Sequence, residues 1–285
     1  MAPVQPSIGD KRRAFRALHA SGCFVIPNPW DVGSARYLQG LGFKALATTS
    51  SGLAWSLGQP DNAVSRENVL AHLSAMVAAT ELPVNADFES GFATDEAGVA
   101  DSVRLAVATG VAGLSIEDST GDAARPLYAL DEAVARLRAA RQAIDAAGGD
   151  TLLVGRAECF LVGRPDLDET ITRLQAYAQA GADCLYAPGI HTREQIAAAV
   201  AAVAPKPVNL LIGTTSDWTL SEVAALGVRR ISVGGALARS AWGGFTRAAK
   251  VIAEQGRFDG FADAASGREL NALFSTAPAA RPPQV

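Results

Sequence analysis

The sequence has few cysteines and no long apolar run. Its three cysteines, Cys23, Cys159 and Cys184, lie far apart and form no CxxC pair. An odd, scattered set of this kind is not a disulfide framework, and the N-terminal residues show no secretory pattern. No stretch of eighteen apolar residues occurs, so a membrane-spanning helix is not expected. We therefore expect a soluble, cytoplasmic protein.

The chain also lacks an excess of basic charge and has few lysines. The net charge is -4, the pI is near 5.5, and the only basic run is KRR at 11–13. This excludes the electrostatic footprint of a protein that binds nucleic acid or an anionic membrane. Lysine occurs four times and never at the end of a predicted strand, where a Schiff-base aldolase would carry it. The partner is expected to be a small molecule.

Eight short runs rich in Val, Ile and Leu recur along the chain. They are GCFVIPNP, FKALATTSSG, LPVNADFESG, VAGLSIEDS, DTLLVGRAEC, ADCLYAPG, KPVNLLIG and VRRISVGG. Segments between them, such as RENVLAHLSAMVAAT, carry apolar residues at helical spacing. Because the runs are continuously apolar, they predict parallel strands buried on both faces. Eight such βα units predict a closed (β/α)8 TIM barrel, with an open doubly wound sheet as the alternative.

The length of 285 residues lies within the range that an α/β barrel fills as one domain. We predict a barrel over residues 1–257, including a C-terminal helix region swapped between subunits. Residues 258–285 are predicted to add a C-terminal helix and an Ala- and Pro-rich tail to the same domain. The long helical segments after the eighth strand exceed what a barrel needs, which makes them candidates for packing on a partner subunit.

Acidic residues follow two consecutive predicted strands. Asp87 and Glu89 end the third strand, and Glu117 ends the fourth. The carboxyl ends of barrel strands meet at one face, so these acids should converge and repel each other. A divalent cation such as Mg²⁺ relieves that repulsion and prefers carboxylate and water ligands. Arg156, at the end of the fifth strand, would then hold the carboxylate of a substrate whose other oxygens bind the metal.

Other interpretations of these residues stay open. A single acid at a strand end is commonly a helix N-cap or an ion-pair partner. Arg156 could instead be a structural partner of Glu117 or Asp87. The segment SVGGALAR, with Gly234 and Gly235, fits a barrel phosphate-binding loop. That loop would belong to an isomerase or aldolase acting on sugar phosphates.

The motifs together resemble the isocitrate lyase/phosphoenolpyruvate mutase superfamily. The resemblance runs from about Phe15 to Ala249 and is carried by NPWDVGSARYLQGLGFKALATTSSG, SLGQPD, PVNADFESGFA, AGLSIEDST, VGRAECF, AGADCLYAPG and KPVNLL. It implies a (β/α)8 barrel whose last helix is swapped between the subunits of a homodimer or homotetramer. It also implies Mg²⁺, or Mn²⁺ in its place, at the barrel mouth, and a substrate that is or becomes a small 2-oxo acid.

The resemblance also implies roles for individual residues. Asp87 looks like the aspartate that contacts the metal, and Glu89 and Glu117 look like the acids that hold its waters. Arg156 looks like the arginine that binds the 2-oxo acid, and Asp61 in SLGQPD resembles an aspartate of the gating region. Arg156, Asp61 and Glu117 are the implied catalytic residues.

Substrate-binding residues are implied at two further places. The register after the second strand is open by a residue or two, so the carboxylate-binding role is shared by Thr49, Ser50, Ser51 and Gly52. Their hydroxyl and backbone N–H groups are suitable donors to a carboxylate. Asn209, on the seventh strand, lies where the family has a polar residue near the substrate.

Departures from the family pattern narrow the activity. The loop after the fourth strand reads IEDSTGDAARPLYALDEA, without the KKCGH motif of the isocitrate and methylisocitrate lyases. Neither of those activities is therefore expected. Ser119 and Thr120 stand where the mutase branch has a lysine, which also disfavours phosphoenolpyruvate mutase. The third strand carries DFE rather than DxD, which lengthens its second acid by one methylene.

A Mg²⁺-dependent lyase or decarboxylase acting on an oxaloacetate-like 2-oxo acid fits this pattern best. The metal would stabilise the enolate that remains when CO₂ departs, and few further acid or base residues are needed. Two alternatives stay open. One is a pseudoenzyme that binds a 2-oxo acid without turnover, and the other is a hydrolase or mutase of C–P or C–C bonds. Hydrolysis would need a base, for which Tyr128 and Asp118 are the nearest candidates in sequence.

Overall fold

The computed structural model describes residues 6–275, and within them eight parallel strands form one sheet. The strands are β1 Phe24–Ile26, β2 Leu46–Ala47, β3 Val84–Asp87, β4 Gly113–Glu117, β5 Leu152–Arg156, β6 Cys184–Tyr186, β7 Val208–Leu211 and β8 Arg230–Ser232. They pair in the order β1-β8-β7-β6-β5-β4-β3-β2. Each of the eight apolar runs contains one strand, so the predicted (β/α)8 TIM barrel is confirmed.

β1 and β2 meet where the sheet closes into a barrel. The backbone N–H of Ala47 donates to the carbonyl of Pro27 at 3.1 Å. The side-chain Nδ2 of Asn28 donates to the carbonyl of Thr48 at 2.9 Å. We call this junction the seam. β2 has only two residues, so these few bonds take the place of a full ladder.

Helices alternate with the strands around the barrel. They are α1 Ile8–Ala20, α2 Val32–Gly40, α3 Ser50–Ser56, α4 Arg66–Ala79, α5 Glu96–Ala108, α6 Leu130–Ala146, α7 Leu167–Gln179, α8 Arg193–Val203, α9 Leu220–Ala225, α10 Ala236–Gln255 and α11 Gly267–Ser275, with a 3-10 turn at Asp259–Phe261. The turns after α2, α5, α7 and α9 end the helix at a glycine with a φ of 86° to 105°: Gly42, Gly110, Gly181 and Gly227. This left-handed conformation favours glycine and explains the repeated helix–glycine–strand phrase of the sequence.

Side chains alternate along each strand between two different surroundings. Outward positions, such as Leu114, Leu185 and Leu210, pack against the helices in the main apolar cluster. Many inward positions are polar, and Asn85 and Asn209 are 3% and 0% exposed. Both faces of the sheet are therefore buried, as expected, but the inner face has polar side chains deep inside the barrel.

α10 extends away from the barrel after β8. Only Ala238 is buried in this helix, while Trp242 and Phe245 are exposed. The chain then returns, and α11 packs on α2, where Nη2 of Arg36 donates to the carbonyl of Phe274 at 2.9 Å. The Ala- and Pro-rich tail after residue 275 lies outside the described residues. Subunit swapping and the boundary at residue 257 stay predictions.

Candidate active site

Arg156 is the centre of the polar cluster at the carboxyl ends of the strands. Its Nη1 lies 3.1 Å from Asp87 Oδ1 and 3.1 Å from Glu117 Oε2. Its Nε donates to Glu158, two residues along the same chain. Three carboxylates from β3, β4 and the turn after β5 therefore face one guanidinium. The convergence of Asp87 with Glu117 is as predicted, and the structural pairing of Arg156 with both acids is present as well.

Asp87 is held by the short helix that follows β2. Its Oδ2 accepts a hydrogen bond from the backbone N–H of Ser50 at 2.9 Å. Its own N–H donates to Oγ1 of Thr48 at 2.9 Å. Thr49 is the N-cap of this helix, and its side chain accepts from the N–H of Gly52. The TTSSG segment thus orients the Asp87 carboxylate.

Glu89 and Asp61 add negative charge near Asp87. Glu89 has a φ of 47°, a left-handed conformation that is uncommon for a residue with a side chain. Burial, reinforced by the charges of Asp87 and Asp61, raises the pKa of Glu89 to about 8. Partial desolvation and the Asp87 charge also raise the pKa of Asp61. The mouth of the barrel is therefore rich in carboxyl groups that cannot all be ionised at once without strong mutual repulsion.

The donor set of the mouth suits a hard divalent cation. Five carboxyl groups lie close enough to the Arg156 guanidinium to feel its charge: those of Asp61, Asp87, Glu89, Glu117 and Glu158. Oxygen ligands of this kind are preferred by Mg²⁺. Among residues 6–275, however, no three His, Cys, Asp or Glu side chains are arranged as a ready set of ligands. Arg156 occupies the space between Asp87 and Glu117, which accounts for this arrangement.

A cavity of about 190 Å³ opens beside this cluster. Of the predicted site residues, its wall contains Thr49, Ser50, Ser51, Asp61, Asp87, Arg156 and Asn209. Gly52, Glu89 and Glu117 are not part of the wall. Glu117 lies behind Arg156, and burial raises its pKa well above the usual range. The wall also contains residues that we did not select from the sequence, among them Asn28, Asn85, Ser115, Tyr186 and Arg230.

Gly52 and Asn209 have structural contacts that their sequence positions did not reveal. A Cβ at Gly52 would lie 2.6 Å from Cγ2 of Thr49 and 2.8 Å from Cβ of Trp30, so close packing requires glycine there. Asn209 donates to Oγ of Ser232 at 2.9 Å and accepts from Nε of Arg230 at 2.8 Å. The nitrogen and the oxygen of the Asn209 side-chain amide are thus both hydrogen-bonded to side chains of β8.

The glycine-rich turn after β8 has its first two backbone donors occupied. Oδ1 of Asn28 accepts from the N–H groups of Val233 and Gly234, each at 2.9 Å. Phosphate binding by such a turn depends on free N–H groups. The arrangement therefore disfavours the phosphate-loop interpretation of SVGGALAR.

Asp118, considered above as a base, belongs to a buried network. Its Oδ2 lies 3.0 Å from Nη1 of Arg173 and accepts from the hydroxyl of Tyr177. Its Oδ1 accepts from the N–H of Glu158 at 2.8 Å. Asp118 thereby positions Glu158, and through it Arg156. Tyr128 stacks against Arg136, whose guanidinium carbon lies 4.3 Å from the ring centroid.

Tyr186 was not selected from the sequence because ADCLYAPG reads as a plain buried strand. The guanidinium carbon of Arg156 lies 5.2 Å from its ring centroid, within the range of a cation–π contact. Burial raises the pKa of Tyr186 to about 12, so its hydroxyl keeps its proton at neutral pH. An aromatic residue aligned with Arg156 on the neighbouring strand was the only available signal.

A parallel (β/α)8 barrel with a carboxylate-rich cluster and a polar cavity at its carboxyl end defines an enzyme-like scaffold. The family model described as phosphoenolpyruvate phosphomutase matches residues 15–253, and the chain belongs to this family. The predicted membership of the isocitrate lyase/phosphoenolpyruvate mutase superfamily is thereby confirmed.

Similar proteins include lyases and hydrolases of this superfamily. An oxaloacetate decarboxylase of Rhodopseudomonas palustris strain BisB18 is 33% identical over 221 residues, covering 73% of this chain and 74% of that protein. A Burkholderia cenocepacia J2315 structure, provisionally classed as a lyase/mutase, is 50% identical with a TM-score of 0.91, covering 95% of this chain and 97% of that one. An oxaloacetate acetylhydrolase bound to oxalate is 27% identical with a TM-score of 0.83, covering 94% and 95% of the two chains.

Proposed function

We propose that this protein is a Mg²⁺-dependent lyase that decarboxylates a small, oxaloacetate-like 2-oxo acid. The observation that carries the proposal is the joint presence of Asp87, Arg156 and the Ser50–Ser51 donors in one small cavity. A lyase-type activity is supported by family membership and by the oxaloacetate decarboxylases among the similar proteins. Mn²⁺ is the alternative cation, and the metal and the particular substrate are part of the proposal.

Asp87, with Glu89 and Glu117 beside it, would hold the cation. A bound divalent cation would supply positive charge against the 2-oxo oxygen of the substrate. The hydroxyls of Ser50 and Ser51, in the cavity wall, would donate hydrogen bonds to the same oxygen. Because Ser50 also holds Asp87 through its backbone N–H, one segment orients both the metal ligand and the substrate.

Decarboxylation breaks the C3–C4 bond of the substrate and releases CO₂. The electron pair of that bond becomes an enolate, which then takes one proton at C3 to give the shorter 2-oxo acid. Asp61 lies in the cavity wall and has a raised pKa, so it keeps a proton to higher pH than an ordinary aspartate. We assign it the proton donation, in keeping with its predicted catalytic role.

The loop after β4 favours decarboxylation over reactions that need a further base. It forms a tight turn closed by an antiparallel bridge between Ser119 and Leu127. Asp118 and Tyr128, the candidate bases near it, are engaged with Arg173 and Arg136 and lie outside the cavity wall. The oxaloacetate acetylhydrolase structure keeps C–C bond hydrolysis as the second candidate.

The test is thermal unfolding with EDTA, with Mg²⁺, and with Mg²⁺ plus oxaloacetate, pyruvate, 2-oxoglutarate or phosphonopyruvate, with products followed in parallel. A metal-dependent rise in Tm with oxaloacetate, together with release of pyruvate and CO₂, is expected because a ligand stabilises only the state that it binds. Acetate and oxalate as products would instead indicate the hydrolase. Binding without product would indicate a pseudoenzyme, and no rise with any acid would refute the proposed site.

We further propose a homodimer or homotetramer in which α10 packs on a partner subunit. The exposed side chains of Trp242 and Phe245 support it, since clustered exposed aromatics on one helix are typical of an interface. Analytical ultracentrifugation of the wild type and of the Phe245→Glu variant tests it, and a monomeric wild type would refute it.

A cytoplasmic location is proposed from the three free thiols. Among residues 6–275, no helix has the length and apolarity needed to cross a membrane.

A further inference from the structure

Arg230 carries a positive charge deep in the barrel. It is the first residue of β8 and is 3% exposed, yet it forms part of the cavity wall. Ser232, two residues later, ends the strand. At a rise of about 3.3 Å per residue, the Cα of Arg230 therefore lies about 7 Å before the carboxyl end of β8. Arg230 forms the floor of the cavity.

The partners of Arg230 are all neutral. Its Nε donates to Oδ1 of Asn209 at 2.8 Å, and its Nη1 lies 3.4 Å from Oδ1 of Asn85. Nη1 also lies 3.4 Å from Nε2 of His19. Burial, reinforced by the charge of Arg230, lowers the pKa of His19 to about 3, so this imidazole is neutral. Among residues 6–275, no carboxylate lies within 4.0 Å of the Arg230 guanidinium.

The other guanidinium of the cavity wall is in the opposite situation. Arg156 faces three carboxylates, those of Asp87, Glu117 and Glu158. An incoming anion would therefore meet surplus negative charge around Arg156 but unmatched positive charge at Arg230. A guanidinium cannot lose its proton, and a buried charge is costly unless it is paired. The floor of the cavity thus favours a carboxylate ligand, which pairs with guanidinium in a bidentate fashion.

We propose that Arg230 binds the carboxylate that the substrate keeps, so that the 2-oxo acid lies with this carboxylate toward the floor. This rests on the proposed function and adds the orientation of the substrate. The departing carboxylate then points to the mouth, where Asp61 and Asp87 line the wall. Asn209 and Asn85 position the guanidinium.

The test compares pyruvate with pyruvamide, which differ only in the charged carboxylate, by ligand-observed NMR in the presence of Mg²⁺. The Arg230→Gln variant is expected to bind pyruvate at least ten-fold more weakly than the wild type, with pyruvamide binding unchanged. Arg229→Gln is the matched control, because Arg229 precedes Arg230, carries the same charge and donates to the Gly22 carbonyl outside the cavity. It should bind both ligands as the wild type does.

Each other outcome overturns the inference. If Arg230→Gln binds pyruvate as tightly as the wild type does, the substrate carboxylate is bound by Arg156 instead. The proposed function would then still hold. Equal loss of both ligands would mean that Arg230 only maintains the shape of the cavity. If Arg230→Gln does not fold, Arg230→Lys keeps the charge but not the bidentate fork, and an unchanged pyruvate-to-pyruvamide ratio in it would refute the assignment. A wild type that binds neither ligand would refute the proposed function as well.

Discussion

Replacing Glu89 by glutamine is expected to stabilise the metal-free protein at pH 8 but not near pH 4.5. The pKa of Glu89 is about 8 in the folded protein against an ordinary value of 4.5. Between these values the folded state binds more protons than the unfolded state, so the free energy of unfolding falls as pH rises. Above pH 8 the loss is complete. Glutamine does not ionise, so the Glu89→Gln variant keeps its free energy of unfolding as the pH rises through this range.

The size of the effect follows from the same interval. The difference between a pKa of 4.5 in the unfolded chain and about 8 in the folded protein corresponds to a loss of about 5 kcal/mol at most in the free energy of unfolding. Because Glu89 is partly exposed, solvent screening reduces this, and we expect about half of it. For a chain of this length, a gain of that size raises Tm by roughly 5 °C.

The assay is thermal unfolding in EDTA at pH 5, 6, 7 and 8 for the wild type and Glu89→Gln. Glu254→Gln is the control, because Glu254 is exposed on α10 and far from the cluster in the chain. The Tm difference between Glu89→Gln and the wild type should grow with pH, while that of the control stays flat. Mg²⁺ should close the gap by stabilising the ionised wild type. A pH-independent difference, or an equal gain in the control, would refute the reasoning.

Three further predictions concern the buried charges. Asp87→Asn keeps an acceptor for the Ser50 N–H but should abolish both turnover and the rise in Tm with Mg²⁺; an undiminished rise would exclude Asp87 as the metal contact. Arg156→Met leaves three carboxylates without their cation and should lower the free energy of unfolding in EDTA by about 3–5 kcal/mol, with Mg²⁺ restoring part of it. Urea unfolding without any Mg²⁺ recovery would contradict this. Asp118→Asn breaks a buried pair with Arg173 and should cost about 3–5 kcal/mol in urea while the Mg²⁺ response persists; a loss below about 1 kcal/mol would contradict the role of the pair.

The barrel was predictable because each of its parts has a local signal. Eight continuous apolar runs, amphipathic segments between them and a glycine after several helices all follow from the physics of a parallel sheet covered by helices. The strand-end rule also located Asp87, Arg156 and the Thr49–Ser51 segment in one cavity. These predictions needed only the position of each residue along a strand.

Contacts across the barrel could not be predicted in the same way. The pairing of Arg156 with Glu158 depends on how the chain turns after β5, and no spacing in the sequence reveals it. Arg230 and Arg229 are adjacent, yet one points into the barrel and the other lies outside the cavity. A shift of one residue along a strand exchanges the two faces, and the continuously apolar runs give no alternation from which to choose.

The seam between β1 and β2 makes the active site depend on residues that do not react with the substrate. Thr48, at the seam, holds the backbone of Asp87 through its hydroxyl, while its carbonyl accepts from Asn28. Asn28 also ties the turn after β8. Since few hydrogen bonds close the cylinder here, this is where its circumference can widen at least cost. Evolution could therefore resize the cavity of this scaffold by altering Asn28 alone, while every group that reacts with the substrate stays the same.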